Sequence, residues 1–429
     1  MRLLPADLPE RAALSLEVHA RPSEPLAAPG RASYVAVLVD ADERERELIH
    51  LGRLCRSHGQ AGPAADAVHW SGQVGEVRLK WERHGEFSSY TLLLAARAAT
   101  PFADPAAGHL PAGWLATVPG MTVYAGHAEL LPAEEAPVAL SELQHTYFAG
   151  RPLVGSAVGD GAGLAYSDFL IQPDGFGRLL LVDQGLTPLM AGRMLQRLFE
   201  IEAYRMMALL AFPVARRLSP RLQAIERALA GLTDDIARDG GRDETLLHEL
   251  TRLAAEIESG LSASQFRFGA CRAYAELVRT RIAELRERRL HGLQTIDEFM
   301  SRRFTPAVAT CATVSQRMHD LSERVAQASH LLSTRVDIAR ERQNHALLAS
   351  MDRRAKLQLR LQQTVEGLSV AAIVYYMAGV VGYVAKGGRS LGAPLNVDLF
   401  VGLSVPVLAL LAYSAVRRAR RHATDQETV

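Results

Sequence analysis

Glu17-Val18-His19-Ala20-Arg21-Pro22 is the most chemically loaded short string in the sequence. A carboxylate and an imidazole two residues apart could exchange protons or ligate a metal, with Arg21 holding an anion. The competing reading is structural, with Glu17, His19 and Arg21 pairing along a sheet edge. No second His/Asp cluster at metal-ligand spacing accompanies them, which favours the structural reading. Asp234, Asp235, Asp239, Asp243 and Glu244 gather around Gly240-Gly241. Such oxygen-rich groups can take a divalent cation, but the spacing is not that of an EF-hand, and a solvated acidic loop is the simpler reading. Gly155–Gly163 (GSAVGDGAG) is glycine-rich, yet no Lys-Ser/Thr follows and a strand comes next, so a phosphate cradle is disfavoured. No catalytic constellation emerges and no organic cofactor is expected. A divalent cation is the one small ligand left open.

The other polar candidates sit in apolar surroundings. Gly367–Ala385 and Leu399–Val416 carry no charged residue, and each has the length at which a helix crosses a bilayer, roughly 17–25 residues. Inside them Ser369, Tyr375, Tyr376 and Ser404 are the main polar groups, and Gly379, Gly382 and Tyr383 are further candidates to line a pore. Gly379 and Gly382 would let another helix approach closely. The absence of ionisable residues argues against proton-coupled transport, so any pore would be lined by backbone, small residues and hydroxyls. Lys386–Asp398, which holds Asn396, joins the two stretches as a short loop. Arg353, Arg354, Lys356 and Arg360 precede the first, and Arg417, Arg418, Arg420 and Arg421 follow the second. That asymmetry predicts a hairpin with both ends cytoplasmic.

Composition narrows the class further. The 48 Lys+Arg nearly balance the 47 Asp+Glu, so no global field recruits nucleic acid. Cys55, Cys271 and Cys311 show no paired spacing, which fits a reducing compartment and argues against a disulfide framework or a zinc site. The first residues lack an apolar core, so no cleaved signal is expected and insertion would rest on the hairpin.

The elements that must position these groups read as α+β. Ser33–Val39, Gln73–Glu82, Glu86–Ala95 and Met121–Leu130 have strand character, and Val77, Leu79 and Trp81 alternate as in a half-buried strand. Gly163–Ile171 and Gly177–Val182 form a second pair around the Pro173-Asp174-Gly175 turn. Asp42–Cys55 is helical, with Leu48, Leu51 and Leu54 on one face. From Pro188 the chain turns helical: Leu189–Phe212 capped by Thr187-Pro188, a helix opening at Ser219-Pro220, then Glu244–Ser259, Ala263–Arg289 and Gln294–Phe304, with breaks at Gly240-Gly241 and Gly260. A last long helix begins near Pro306. Val314, Met318, Leu321, Val325, Ala328 and Leu332 form a heptad seam on it, read either as coiled coil or as packing on its own bundle. Ala307–Glu366 contains no Gly or Pro and would make a rod of about 90 Å. The expected division is an α/β domain with a mostly antiparallel sheet (1–187), a helical domain (188–305), a stalk helix (306–366) and a membrane hairpin (367–421).

Three strings carry a family resemblance: LPERAALSLEVHARP, GRMLQRLFEIEAYRMMALLAFPVAR, and LQQTVEGLSVAAIVYYMAGVVGYVAKG together with LNVDLFVGLSVPVLALLAYSAVRR. They resemble an uncharacterised bacterial family of predicted membrane-anchored proteins of unknown function. The resemblance implies membrane anchoring and no assigned activity. The order of parts is also similar to that of the CorA-type divalent-cation transporters, which would imply a homo-oligomer joined through stalk and spans in the bacterial inner membrane. The Gly-Met-Asn signature of that family is missing after the first span, where Gly382-Tyr383-Val384-Ala385-Lys386 stands, so the likeness is one of architecture.

Overall fold

The computed structural model describes residues 8–11, 14–15, 23–238, 243–390 and 396–425, and the chain divides into two compact units, Met1–Ser329 and His330–Val429. The first is built on strands β1 (Gly30–Leu38), β2 (His69–Val74), β3 (Val77–Arg83), β4 (Phe87–Leu94), β5 (Met121–Pro132), β6 (Val154–Val158), β7 (Gly163–Ser167), β8 (Gly177–Asp183) and β9 (Arg288–Arg289). They form one sheet in the order β2-β3-β4-β1-β5-β8-β7-β6-β9. Only β5 and β8 run parallel; every other neighbouring pair is antiparallel. The sheet is thus the mostly antiparallel one the sequence predicts. The Pro173-Asp174-Gly175 turn closes by a Gly175 N–H to Gln172 carbonyl bond of 2.9 Å, with Gly175 at φ 86°.

One expected strand is corrected. Gln73–Glu82 is two strands folded at Gly75-Glu76, where Gly75 takes φ 59°. Nor is β3 half-buried: Val77, Leu79 and Trp81 are buried on one face, and Lys80 and Glu82 on the other. Alternation of apolar and polar residues shows which face each side chain takes, not whether the polar face is covered.

Helix α1 (Arg44–Ser57) covers the first face. Leu51, Leu54 and Cys55 pack there with Val35, Val37, Leu79, Trp81, Leu92 and Trp114. Glu47 is fully buried on this helix, and its carboxylate accepts from Trp81 Nε1 at 2.9 Å, Ser88 Oγ at 3.1 Å and Tyr90 Oη at 2.7 Å. Helix α2 (Leu140–Phe148) closes a second core over Leu131, Leu180 and Val182.

The opposite face carries α3 (Pro188–Leu209), against which α4 (Ala211–Ala237) and α5 (Asp243–Leu285) pack, followed by α6 (Ile296–Arg303). Thr187 caps α3 as expected, accepting from Met190 N at 3.3 Å. The ring of Phe199 stacks on Tyr34 with centroids 5.1 Å apart. Two expected breaks are absent. Ser219-Pro220 does not open a helix; Pro220 lies inside α4, because Ala215, Leu222, Ile225 and Leu229 make one apolar face that runs through it. Gly260 does not divide α5 either. It sits where a β-carbon would come within 3.2 Å of Met318 Cε, so close packing keeps the helix whole across a residue of poor propensity. The predicted break at Gly240-Gly241 lies outside the described residues.

Gly192 seats the segment that leads into β1. A β-carbon there would lie 1.8 Å from the Glu24 carbonyl oxygen, and Leu26 N–H bonds the Pro188 carbonyl at 2.9 Å.

In the second unit α7 (Thr305–Ser390) continues as one helix, and α8 (Val397–Asp425) follows it. Both contain windows apolar enough to cross a membrane, with mean hydropathy 1.8 and 2.2. Earlier on α7, within the first unit, Val314, Met318, Leu321 and Val325 of the seam are buried.

Gly192→Ala should destabilise the first unit by about 2 kcal/mol or more, although alanine is the better helix former by about 1 kcal/mol. Urea unfolding of the purified full chain, followed by tryptophan fluorescence, measures the sign. A stabilised variant would mean that Glu24 moves aside freely.

Candidate functional site

The first unit buries titratable groups in two layers, one on each face of the sheet. On the α1 face, β1 and β5 set Arg31 opposite Glu129 and Ser33 opposite His127. All four are buried. Antiparallel pairing brings such residues together because side chains two apart share a face. Ser33 Oγ accepts from Ala107 N at 3.0 Å and lies 2.8 Å from His127 Nδ1. The hydroxyl and the imidazole share this hydrogen bond, whose direction follows the His127 tautomer. The imidazole stacks on Phe176 at 3.9 Å. Burial, aided by the Arg178 guanidinium, lowers the His127 pKa to about 3.

Glu129 accepts from Phe102 N at 2.9 Å, and burial raises its pKa. Phe102 holds φ 58°, an uncommon backbone for a bulky residue, which aims that amide at the carboxylate. Arg31 donates to Ala96 O at 3.1 Å and pairs with Asp104, whose pKa it lowers together with His109. A neutral imidazole and a carboxyl inclined to hold its proton thus stand two residues apart on one strand. Every one of these four side chains has a partner within the protein, so the ladder ties the loop around Phe102 and Asp104 down onto the sheet.

The other face carries an ionic layer between the sheet and α3 and α5. Lys80 and Glu82 pair at 3.1 Å, both buried. Glu200 receives Gln196 Nε2 at 2.7 Å and the Arg281 guanidinium. Glu284 joins Arg281 at 3.0 Å and Arg197 at 2.9 Å. Arg267 grips both oxygens of Glu86 at 2.6 and 3.0 Å. Glu202 and Arg205 pair within α3 at 2.7 and 2.8 Å, as their spacing suggests. Burial, then the Glu200 charge, raises the Tyr204 pKa.

Of the residues singled out from sequence, Glu17, His19, Arg21 and Asp239 lie outside the described residues. Asp234 and Asp235 end α4, where Asp235 pairs with Arg238 at 3.6 Å, and Asp243 begins α5. Among the described residues no three His, Cys, Asp or Glu side chains converge as a metal site would require. The glycine-rich stretch is β6 and its tight turn into β7, with Gly159, Asp160 and Gly161 all at positive φ. Sequence reasoning missed the Arg31, Ser33, His127 and Glu129 ladder. Its signal was present as His and Glu two apart in one strand and Arg and Ser two apart in another.

In the hairpin, Gly382 faces Val401, with the position of a β-carbon 3.4 Å from Val401 Cγ2, so the two helices touch there. Gly379 faces open space. Ser369 Oγ donates to the Val365 carbonyl at 2.9 Å and Ser404 Oγ to the Val401 carbonyl at 2.8 Å, so both hydroxyls are satisfied by their own helices. Tyr375, Tyr376 and Tyr383 are 76%, 73% and 79% exposed and have no hydrogen-bond partner among the described residues. Asn396 precedes α8 and accepts from Phe400 N at 3.0 Å through its carbonyl.

These features define a mixed α/β protein with long helices and two apolar helices suited to a membrane. The model of a family described as "Protein of unknown function (DUF3422)" matches residues 6–423, and the chain belongs to that family. No curated protein matches the chain. A solved structure described as the full-length CmaX protein is 13% identical, aligning over 69% of this chain and 89% of its own at a TM-score of 0.20. At that score the likeness carries no argument.

The His127 environment predicts acid sensitivity. A histidine whose pKa is depressed in the fold stabilises it above the unfolded value near 6.5, and that stability is lost as pH falls towards 3. Unfolding free energy should drop by roughly 3 kcal/mol between pH 6.5 and 4 on this account, and the slope should flatten in His127→Gln. Chemical denaturation across that range measures it; identical slopes in both proteins would remove His127 as the cause.

Proposed function

We propose that this protein is a membrane-anchored homo-oligomer of the bacterial inner membrane whose hairpins surround a CorA-like path for a divalent cation. The spans are 367–385 and 399–416, both ends of the hairpin are cytoplasmic, and the sheet domain acts as a cytoplasmic sensor. One observation carries the reading. Tyr375 and Tyr376 fall at the middle of the first span, where no water is present, and neither phenol hydroxyl has a partner among the described residues. An unpaired hydroxyl in hydrocarbon costs on the order of 2–7 kcal/mol, and neighbouring subunits or a hydrated path would relieve it. Gly379 beside them opens room for a second helix.

A second reading has its own support. The spans hold no ionisable group, and the Gly-Met-Asn loop signature is absent, so the hairpin can serve as an anchor for a scaffold or sensor without conduction.

Native mass measurement in detergent should give a ring of several copies, and Tyr375→Phe with Tyr376→Phe should lower the oligomeric fraction. Vesicles holding the wild-type protein should pass magnesium or a similar divalent cation faster than empty vesicles. A stable oligomer without flux would leave the scaffold reading standing; a monomer with unchanged phenylalanine variants would end the assembly reading.

A further inference from the structure

The inner end of the hairpin is shaped as well as charged. A groove of about 660 Å³ runs along α8, lined by Leu411, Ser414, Ala415, Arg417 and Arg418. A smaller one of about 320 Å³ is lined by residues that include Gln363, Glu366, Val370, Tyr413 and Arg417. Arg417 therefore walls both. Residues three, four and seven apart share a helix face, so Leu411, Ser414, Ala415 and Arg418 form one stripe. It is apolar towards the span and cationic at its end. Ser414 Oγ donates to the Leu411 carbonyl at 2.9 Å, which leaves no unsatisfied hydroxyl in the apolar part.

Neither Arg417 nor Arg418 has an ion-pair partner among the described residues. On α7, Lys356 is already held by Asp352 at 2.7 Å, while Arg353, Arg354 and Arg360 add positive charge before the span. Among the described residues Glu366 is the one carboxylate lining either groove, so the two arginines outweigh it. Topology rules account for arginines at the end of a span, but not for their placement at the head of an apolar groove.

We propose that these grooves hold an anionic phospholipid, with its phosphate on Arg417 and Arg418 and an acyl chain along Leu411 and Ala415. Guanidinium groups bind phosphate through paired hydrogen bonds, and the apolar stripe takes the hydrocarbon. A zwitterionic headgroup brings its own ammonium and cancels the attraction. This site rests on the membrane-spanning reading of the hairpin.

The test uses the full chain in mixed vesicles of phosphatidylglycerol, phosphatidylethanolamine and phosphatidylcholine, extracted mildly and weighed with its retained lipids. Phosphatidylglycerol should be enriched about tenfold over the zwitterionic lipids. Arg417→Gln with Arg418→Gln should bring the ratio to within about twofold of the bulk mixture, whereas Arg353→Gln with Arg354→Gln should leave most of it. Equal retention of all three lipids overturns the proposal. So does equal loss in both double variants, which would mean a diffuse field in place of a site, or thermal stabilisation by inorganic phosphate as large as that by the lipid. If the protein stays soluble without detergent, the membrane reading itself fails; if it stays in the membrane without lipid preference, only this site fails.

Discussion

A sheet covered on both faces has no water to receive its charges, and this constraint orders the first unit. Lys80 and Glu82 sit on β3 beneath α3 and α5, where an unpaired charge would be untenable. They pair with each other, and the helices that cover them supply Gln196, Arg197, Glu200, Arg281 and Glu284 as a balanced layer. The same constraint acts on the other face, where Glu47 takes three side-chain donors and Ser33 links His127 to the Ala107 amide. Such layers add little net stability over an apolar core, but they reject registers in which a charge would be left alone. The seating of α3 and α5 on the sheet must satisfy these charges as well as the apolar contacts.

The same constraint would act on the hairpin in a bilayer. Hydrocarbon removes the water that lets surface side chains go unpaired, so each polar atom must find a partner on its own helix or on another chain. Ser369, Ser404 and Ser414 find theirs on their own helices, one turn back. The tyrosines cannot, since a phenol reaches past the backbone of its own helix. Their hydroxyls are left without a partner among the described residues.

Much of this was legible in the sequence, and the rest was hidden for physical reasons. The uncharged stretches, the Thr187-Pro188 cap, the Pro173-Asp174-Gly175 turn and the strands around Val35, Tyr90 and Ala125 are local signals, and each holds in the fold. Pro220 and Gly260 misled because local propensity was outweighed by a continuous apolar face and by a close approach to Met318. Gln73–Glu82 misled because a Gly-Glu turn inside an alternating run looks like more strand. The ladder of Arg31, Ser33, His127 and Glu129 was hidden because it joins positions about a hundred residues apart, and only the β1–β5 register aligns them.

Pro406 lies inside α8 and has no amide hydrogen, so the Gly402 carbonyl one turn earlier loses its usual donor. Gly402 also has no side chain to shield that oxygen. Gly382 meets Val401 across the hairpin, so Gly402 is the next residue of α8 beyond that contact. The Gly402 carbonyl is thus an acceptor left without its helical donor inside the apolar stretch of α8, and any helix that packs beside it there meets that oxygen with no side chain in front.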